Sequence, residues 1–124
     1  MGQTDLSDYK NLYLQTAKED SDKILASLDL LSADVLNKKA LDDLHIISHS
    51  LKSKSQLMGF VDIASTSESI EKISNNALLM NSSLTDKDII GMKESLKELK
   101  EMLKPHFAEA SRGKQVQNDK GVTV

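Results

Sequence analysis

The sequence predicts an all-α protein, an antiparallel up-and-down four-helix bundle with a flexible C-terminal tail. Three observations predict it. Apolar and small residues recur at three- and four-residue steps in four separate segments. Breakers are scarce: one proline and five glycines in 124 residues, too few for an all-β chain with its many turns. The joints between segments are short, which folds each helix back along its neighbour.

The first segment covers residues 5–31. Leu6, Tyr9, Tyr13, Ala17, Ile24, Leu28 and Leu31 make its apolar face, and Lys10, Lys18, Glu19, Asp22 and Lys23 its polar one. Thr4, Asp5 or Ser7 is placed to cap its start. The second covers residues 37–58, with Ala40, Leu44, Ile47, Leu51, Ser55 and Met58 in one stripe and Gly59 as its stop. The third covers residues 62–80 on Ile63, Ser67, Ile70, Ile73 or Ser74, and Ala77. The fourth covers residues 86–103, opened by a capping-box pair, Thr85 and Asp88. Its stripe is Ile89, Met92, Leu96, Leu99 and Leu103, and Pro105 is expected to end it. The methionines fall mostly on these stripes and read as core filling. The lysine- and glutamate-rich run 93–104 reads as a solvated face. The division expected is a bundle over 1–107 and a flexible tail or linker over 108–124; His106, beyond the fourth helix beside Pro105, reads as a tail residue at that boundary.

Composition removes several classes of function. There are no cysteines, hence no disulfide framework, thiol nucleophile or thiolate metal site. Sixteen basic against nineteen acidic residues give a net charge of −3, with no basic footprint for nucleic acid. Aromatics amount to 3%, too few for a base-stacking surface. No apolar run approaches membrane-spanning length. The opening residues lack a leader's basic and apolar regions, and Leu6 stands where a myristoylation signal wants Ser or Thr. The expectation is a cytoplasmic, monomeric domain with no membrane or nucleic-acid partner. No GxxxxGK[ST] or GxGxxG loop is present to cradle a nucleotide.

The second segment carries the chemistry. At about 100° per residue, Asp42, His45, Ser53 and Gln56 lie near His49, with Lys52 slightly further round. The leucine stripe falls on the far side, so His49 faces outward. Residues 49–60 read HSLKSKSQLMGF. This run resembles the signature of histidine-containing phosphotransfer (HPt) domains: a His, then a Lys three residues on, small residues after it, and a helix-ending Gly. Phe60 and the opening DLSDYKNLYLQTAKEDSDKIL most resemble the N-terminal phosphotransfer domain of CheA-type chemotaxis kinases. Ser53 departs from the pattern, which usually has Gly there. Ser is still small.

Each position has a physical reason. An imidazole supplies a lone pair near neutral pH, and it must protrude because the donor arrives on another folded domain. Lys52, one turn on, places an ammonium near phosphoryl oxygens. Ser53 keeps bulk away from the histidine, and Gln56 has an amide to offer an oxygen. The resemblance further implies that Glu71, on the third helix, accepts the Nδ1 proton and leaves Nε2 to attack. It places Glu68 where many of these kinases carry another histidine. His45 and Glu68 complete the expected surround of the site.

The implied function is a phosphorelay module. His49 would accept a phosphoryl group from a histidine-kinase catalytic domain or a receiver aspartate and pass it to a response-regulator receiver domain. Such a module is a carrier more than an enzyme, with no ATP site of its own, whether freestanding or a piece of a CheA-type kinase. No cofactor and no metal are expected. Two other readings are a helical adaptor in which His49 is incidental, and a metal-binding bundle using the i, i+4 pair His45 and His49.

Overall fold

A computed structural model describes the backbone of residues 6–123 and the side chains of residues 8–108. Among the described residues the chain forms four helices: α1 (Leu6–Ala33), α2 (Lys38–Met58), α3 (Val61–Leu79) and α4 (Asp86–Thr123). Each helix packs on the next, and α4 closes the ring against α1. The joints are a few residues long, so neighbours run antiparallel.

The helix ends have local causes. Asn37 caps α2, its side-chain oxygen accepting from the Ala40 backbone N–H at 3.0 Å. Gly59 stops α2 in the left-handed region, at φ 82, where a side chain would be strained. Its N–H and that of Phe60 return to the carbonyls of Gln56 and Ser55. Before α4, Thr85 and Asp88 form the reciprocal capping box: each backbone N–H donates to the other residue's side-chain oxygen at 3.0 Å. The candidate caps Thr4 and Asp5 lie outside the described residues.

The periodic stripes meet in one core. Tyr13, Ala17, Ile24, Leu28 and Leu31 of α1 face Leu44 and Leu51 of α2, Ile63 and Ile70 of α3, and the whole stripe Ile89, Met92, Leu96, Leu99 and Leu103 of α4. Tyr9, expected on the same face, is exposed, and the side chain of Leu6 lies outside the described ones. Met80 is exposed too, at the end of α3, whereas Met92 fills the core.

Pro105 does not end the fourth helix. It lies inside α4, which continues to Thr123. A proline removes one backbone bond and crowds the preceding turn. Here the residues just after it hold the helix against the bundle: Phe107 packs on the core, and His106 meets the Phe60 ring edge-on at 4.8 Å. His106 is therefore part of the bundle and not a tail residue. Of the flexible tail expected over 108–124, the backbone continues α4 to Thr123, and the side chains after residue 108 lie outside the described ones.

Four buried serines decide how closely α2 and α3 approach. Ser48 and Ser55 lie one heptad apart on α2, and Ser67 and Ser74 one heptad apart on α3, all fully buried. Ser48, Ser67 and Ser74 donate to carbonyls of their own helix one turn back, and Ser55 meets the Tyr13 hydroxyl at 2.6 Å. Their hydroxyls are satisfied and they occupy little space. α2 and α3 share the most extensive interface in the bundle. Replacing Ser67 by leucine is expected to destabilise the fold by about 1–3 kcal/mol through overpacking. Urea unfolding checks this, and an unchanged midpoint would mean that the seam has room to spare.

Candidate functional site

The close α2–α3 seam brings together residues that are distant in sequence. His49 projects from α2 with its side chain 56% exposed, and its Nδ1 lies 2.6 Å from Glu71 Oε2 on α3. The other oxygen of the same carboxylate, Oε1, takes Lys52 Nζ at 2.7 Å. One carboxylate thus ties together two residues set one turn apart on α2. Glu71 is only 14% exposed and Lys52 19%, so the tie is shielded, while the imidazole above it is open.

The electrostatics follow from this shape. Burial pushes the Glu71 carboxyl up. Hydrogen bonds and positive charge from Lys52 and His49 outweigh that effect and hold it below its ordinary 4.5. The hydrogen bond to Glu71 holds the Lys52 ammonium above its ordinary 10.5. Glu71 is therefore ionised at neutral pH and can only accept. Nδ1 of His49 must then carry the proton, and in the neutral ring Nε2 keeps the lone pair. Nε2 has no partner among the described residues.

A carboxyl held below its ordinary value stabilises the fold fully above that value and loses the contribution as pH falls through the lowered one. The stability difference between the wild-type chain and Glu71→Gln should therefore be constant near neutrality and shrink below about pH 4.5. Thermal unfolding of both chains against pH checks this. A difference that persists undiminished at pH 2 would mean that the ionised carboxylate is not what stabilises the α2–α3 contact.

The remaining expected residues surround this centre less tightly. Ser53 and Gln56 are exposed on the outer face of α2. Glu68 lies one turn before Glu71 and faces Lys72 at 3.8 Å. Its negative charge also helps to raise the Lys52 ammonium. His45 lies one turn before His49 with ring centroids 6.4 Å apart, and its Nδ1 is buried with no hydrogen-bond partner. Among the described residues, no group of three or more His, Cys, Asp or Glu is placed to hold a metal ion. Nor is any helix there long and apolar enough to cross a membrane.

Some of the supports are not visible in the linear pattern. Lys54 reaches α1 and pairs with Asp20 at 2.6 Å, the carboxylate only 13% exposed. Tyr13 stacks on Phe60 at 4.7 Å while its hydroxyl meets Ser55. Lys10, which periodicity places on the polar face, lies 5.8 Å above the Phe60 ring. These contacts pin α2 to α1 on the flank opposite Glu71. The run 93–104 is likewise not purely solvated: Lys93 and Lys100 cross to Asp29 and Asp22 of α1.

An outward imidazole on one helix of a four-helix bundle, oriented from the next helix and accompanied by a lysine one turn along, agrees with the family comparison. A family model described as the Hpt domain matches residues 8–104. The chain belongs to the Hpt family. The match covers all four helices up to the turn before Pro105. Hpt domains carry out histidine phosphotransfer in phosphorelay signalling and interact with kinases and response regulators. No curated protein and no solved structure matches the chain significantly.

Proposed function

We propose that His49 is the phospho-acceptor of this Hpt domain and that Nε2 is the atom that takes the phosphoryl group. The supporting observation is the short contact between His49 Nδ1 and Glu71, which leaves the other ring nitrogen free at an exposed position. In the transfer, the Nε2 lone pair forms the new N–P bond as the P–O bond to the donor breaks, and the donor oxygen leaves with the electron pair. The ring becomes cationic, and Glu71 stabilises it through the retained Nδ1 proton, the role an orienting acid plays beside histidine in hydrolases. The reverse step hands the group to a receiver aspartate. The partner domains supply the nucleotide or metal chemistry, while this chain supplies a positioned nucleophile.

Lys52 has two roles in this proposal. Before transfer its ammonium is held by Glu71. Once phosphoryl oxygens arrive at Nε2, on the side of the ring away from Glu71, the Lys52 ammonium one turn along α2 is available to neutralise part of their charge. Lys52→Ala is expected to slow phosphoryl transfer about tenfold or more, a loss of about 1.4 kcal/mol of transition-state stabilisation, with circular dichroism unchanged. An unchanged rate would remove Lys52 from the mechanism.

The docking surface we assign is the outer face of α2 with the adjoining flank of α1. Ile46 and Leu57 stand exposed on α2 to one side of His49, and Leu12 is exposed on α1. Exposed apolar side chains with a polar surround suit a transient partner. The kinship with CheA-type kinases remains part of the proposal, supported by the opening run and Phe60. Sequence downstream of Val124 that encodes a nucleotide-binding kinase domain would support it, and a stop codon there would favour a freestanding carrier.

Incubation with a phosphorylated receiver or a kinase catalytic domain tests the function. The expected result is one acid-labile, base-stable phosphoryl group per chain. A chain that binds such partners and is never labelled is an adaptor instead.

A further inference from the structure

Two ion pairs hold α2 from opposite sides, and His49 stands between them. Toward α3, Lys52 meets Glu71 at 2.7 Å. Toward α1, Lys54 meets Asp20 at 2.6 Å. At about 100° per residue, Lys52 lies about 60° to one side of His49 and Lys54 about 140° to the other. The second pair is more shielded than a surface bridge. The Asp20 carboxylate is 13% exposed, and its buried Oδ2 takes no hydrogen bond among the described residues. The Lys54 ammonium neutralises that oxygen. A shielded carboxylate parted from its cation is costly, so α2 resists any turn that draws Lys54 away. The next residue, Ser55, meets the Tyr13 hydroxyl of α1 at 2.6 Å and fixes the same level of the helix.

We propose that Asp20 and Lys54 are positioning residues for phosphoryl transfer: they set the rotation of α2 about its own axis and so keep the His49 ring in reach of Glu71. The proposal rests on the reading of His49 as the acceptor. The tolerance is small. A helix with its side chains is about 10–12 Å across, so a rotation of about 20° carries an outer atom about 2 Å sideways. The contact between Nδ1 and Glu71 is 2.6 Å long and does not survive a shift of that size. Glu71 cannot balance itself, because its carboxylate draws both His49 and Lys52 toward α3. Asp20 supplies the opposing pull from α1. Lys54 stands five positions beyond His49, about 7.5 Å along the helix, and acts through the orientation of α2, not on the reacting atoms.

Three variants of the whole chain test this. Lys54→Gln removes the charge, Lys54→Arg keeps it, and Asp20→Asn removes the opposite charge with little change of shape. Nitrogen-15 spectra of the unphosphorylated chain read the ring directly. Wild type and Lys54→Arg should show Nδ1 protonated. Lys54→Gln and Asp20→Asn should show a mixture of tautomers and transfer about tenfold slower, since slight misplacement by a distant change is felt strongly in rate. Lys93→Gln removes a pair between α4 and Asp29 of α1 and should move neither readout, which separates orientation from the loss of any one bridge. In a Glu71→Gln chain, Lys54→Gln should slow transfer no further.

A wild-type tautomer in folded Lys54→Gln overturns the proposal, as does an equal change in Lys93→Gln or added slowing on top of Glu71→Gln. Should Asp20→Asn not fold, the two Lys54 variants decide. Failure to label the wild-type chain counts against the relay, while the ring spectra still decide whether Asp20 and Lys54 orient His49.

Discussion

His49→Gln should fold as the wild type does and accept no phosphoryl group. The side chain projects from the bundle, 56% exposed, and surface changes of this kind alter stability by about 0.5 kcal/mol or less. Glu71 loses one of its two partners but keeps Lys52 at 2.7 Å, so the carboxylate is not left buried and alone. Glutamine offers an amide in place of the ring, and an amide nitrogen has no nucleophilic lone pair. The loss of transfer should therefore be complete, not partial. Radiolabel incorporation from a phosphodonor domain, with circular dichroism on the same sample, checks both halves. Label retained on a folded His49→Gln chain would put the acceptor elsewhere, with His45 and His106 the remaining imidazoles.

Glu71→Gln should leave the acceptor in place and slow it. The carboxylate does two things: it accepts the Nδ1 proton at 2.6 Å and holds Lys52. Glutamine keeps the size and loses the charge. The ring is then free to turn and to exchange tautomers, and the cationic phosphorylated ring loses its counter-charge. A rate loss on the order of a hundredfold is expected, the scale that misplacement of a reacting group produces. The variant should still reach one phosphoryl group per chain at long times. Nitrogen-15 spectra of the ring separate orientation from general damage: the wild type should show Nδ1 protonated and Nε2 bare, and Glu71→Gln a mixture. An unchanged rate together with an unchanged tautomer would mean that the contact does not orient the ring.

The helices and their inner faces were legible because a period of three to four residues is a property of the chain itself. Gly59 and the Thr85–Asp88 box were legible for the same reason, since caps are read within a few residues. Pro105 was misread because a local penalty was set against packing that only the fold reveals, that of Phe107 on the core and His106 on Phe60. Tyr9 was misread because periodicity gives a face but not how far each residue on it is covered.

At the site, the outward direction of His49 follows from helix geometry alone. Its neighbour Glu71 does not: a residue 22 positions away on another helix was reached only through family resemblance. Periodicity cannot show that Lys52 shares that carboxylate, or that Asp20 and Lys54 brace the opposite flank. These pairs depend on how far α2 slides along its neighbours. That register is set by the buried serines and core side chains acting together.

The most direct measurement is the position of phosphorus on the ring. Phosphorus–nitrogen correlation spectra of the labelled chain should place it on Nε2 of His49, with Nδ1 still protonated against Glu71. Phosphorus on Nδ1, or on any other residue, would contradict the account.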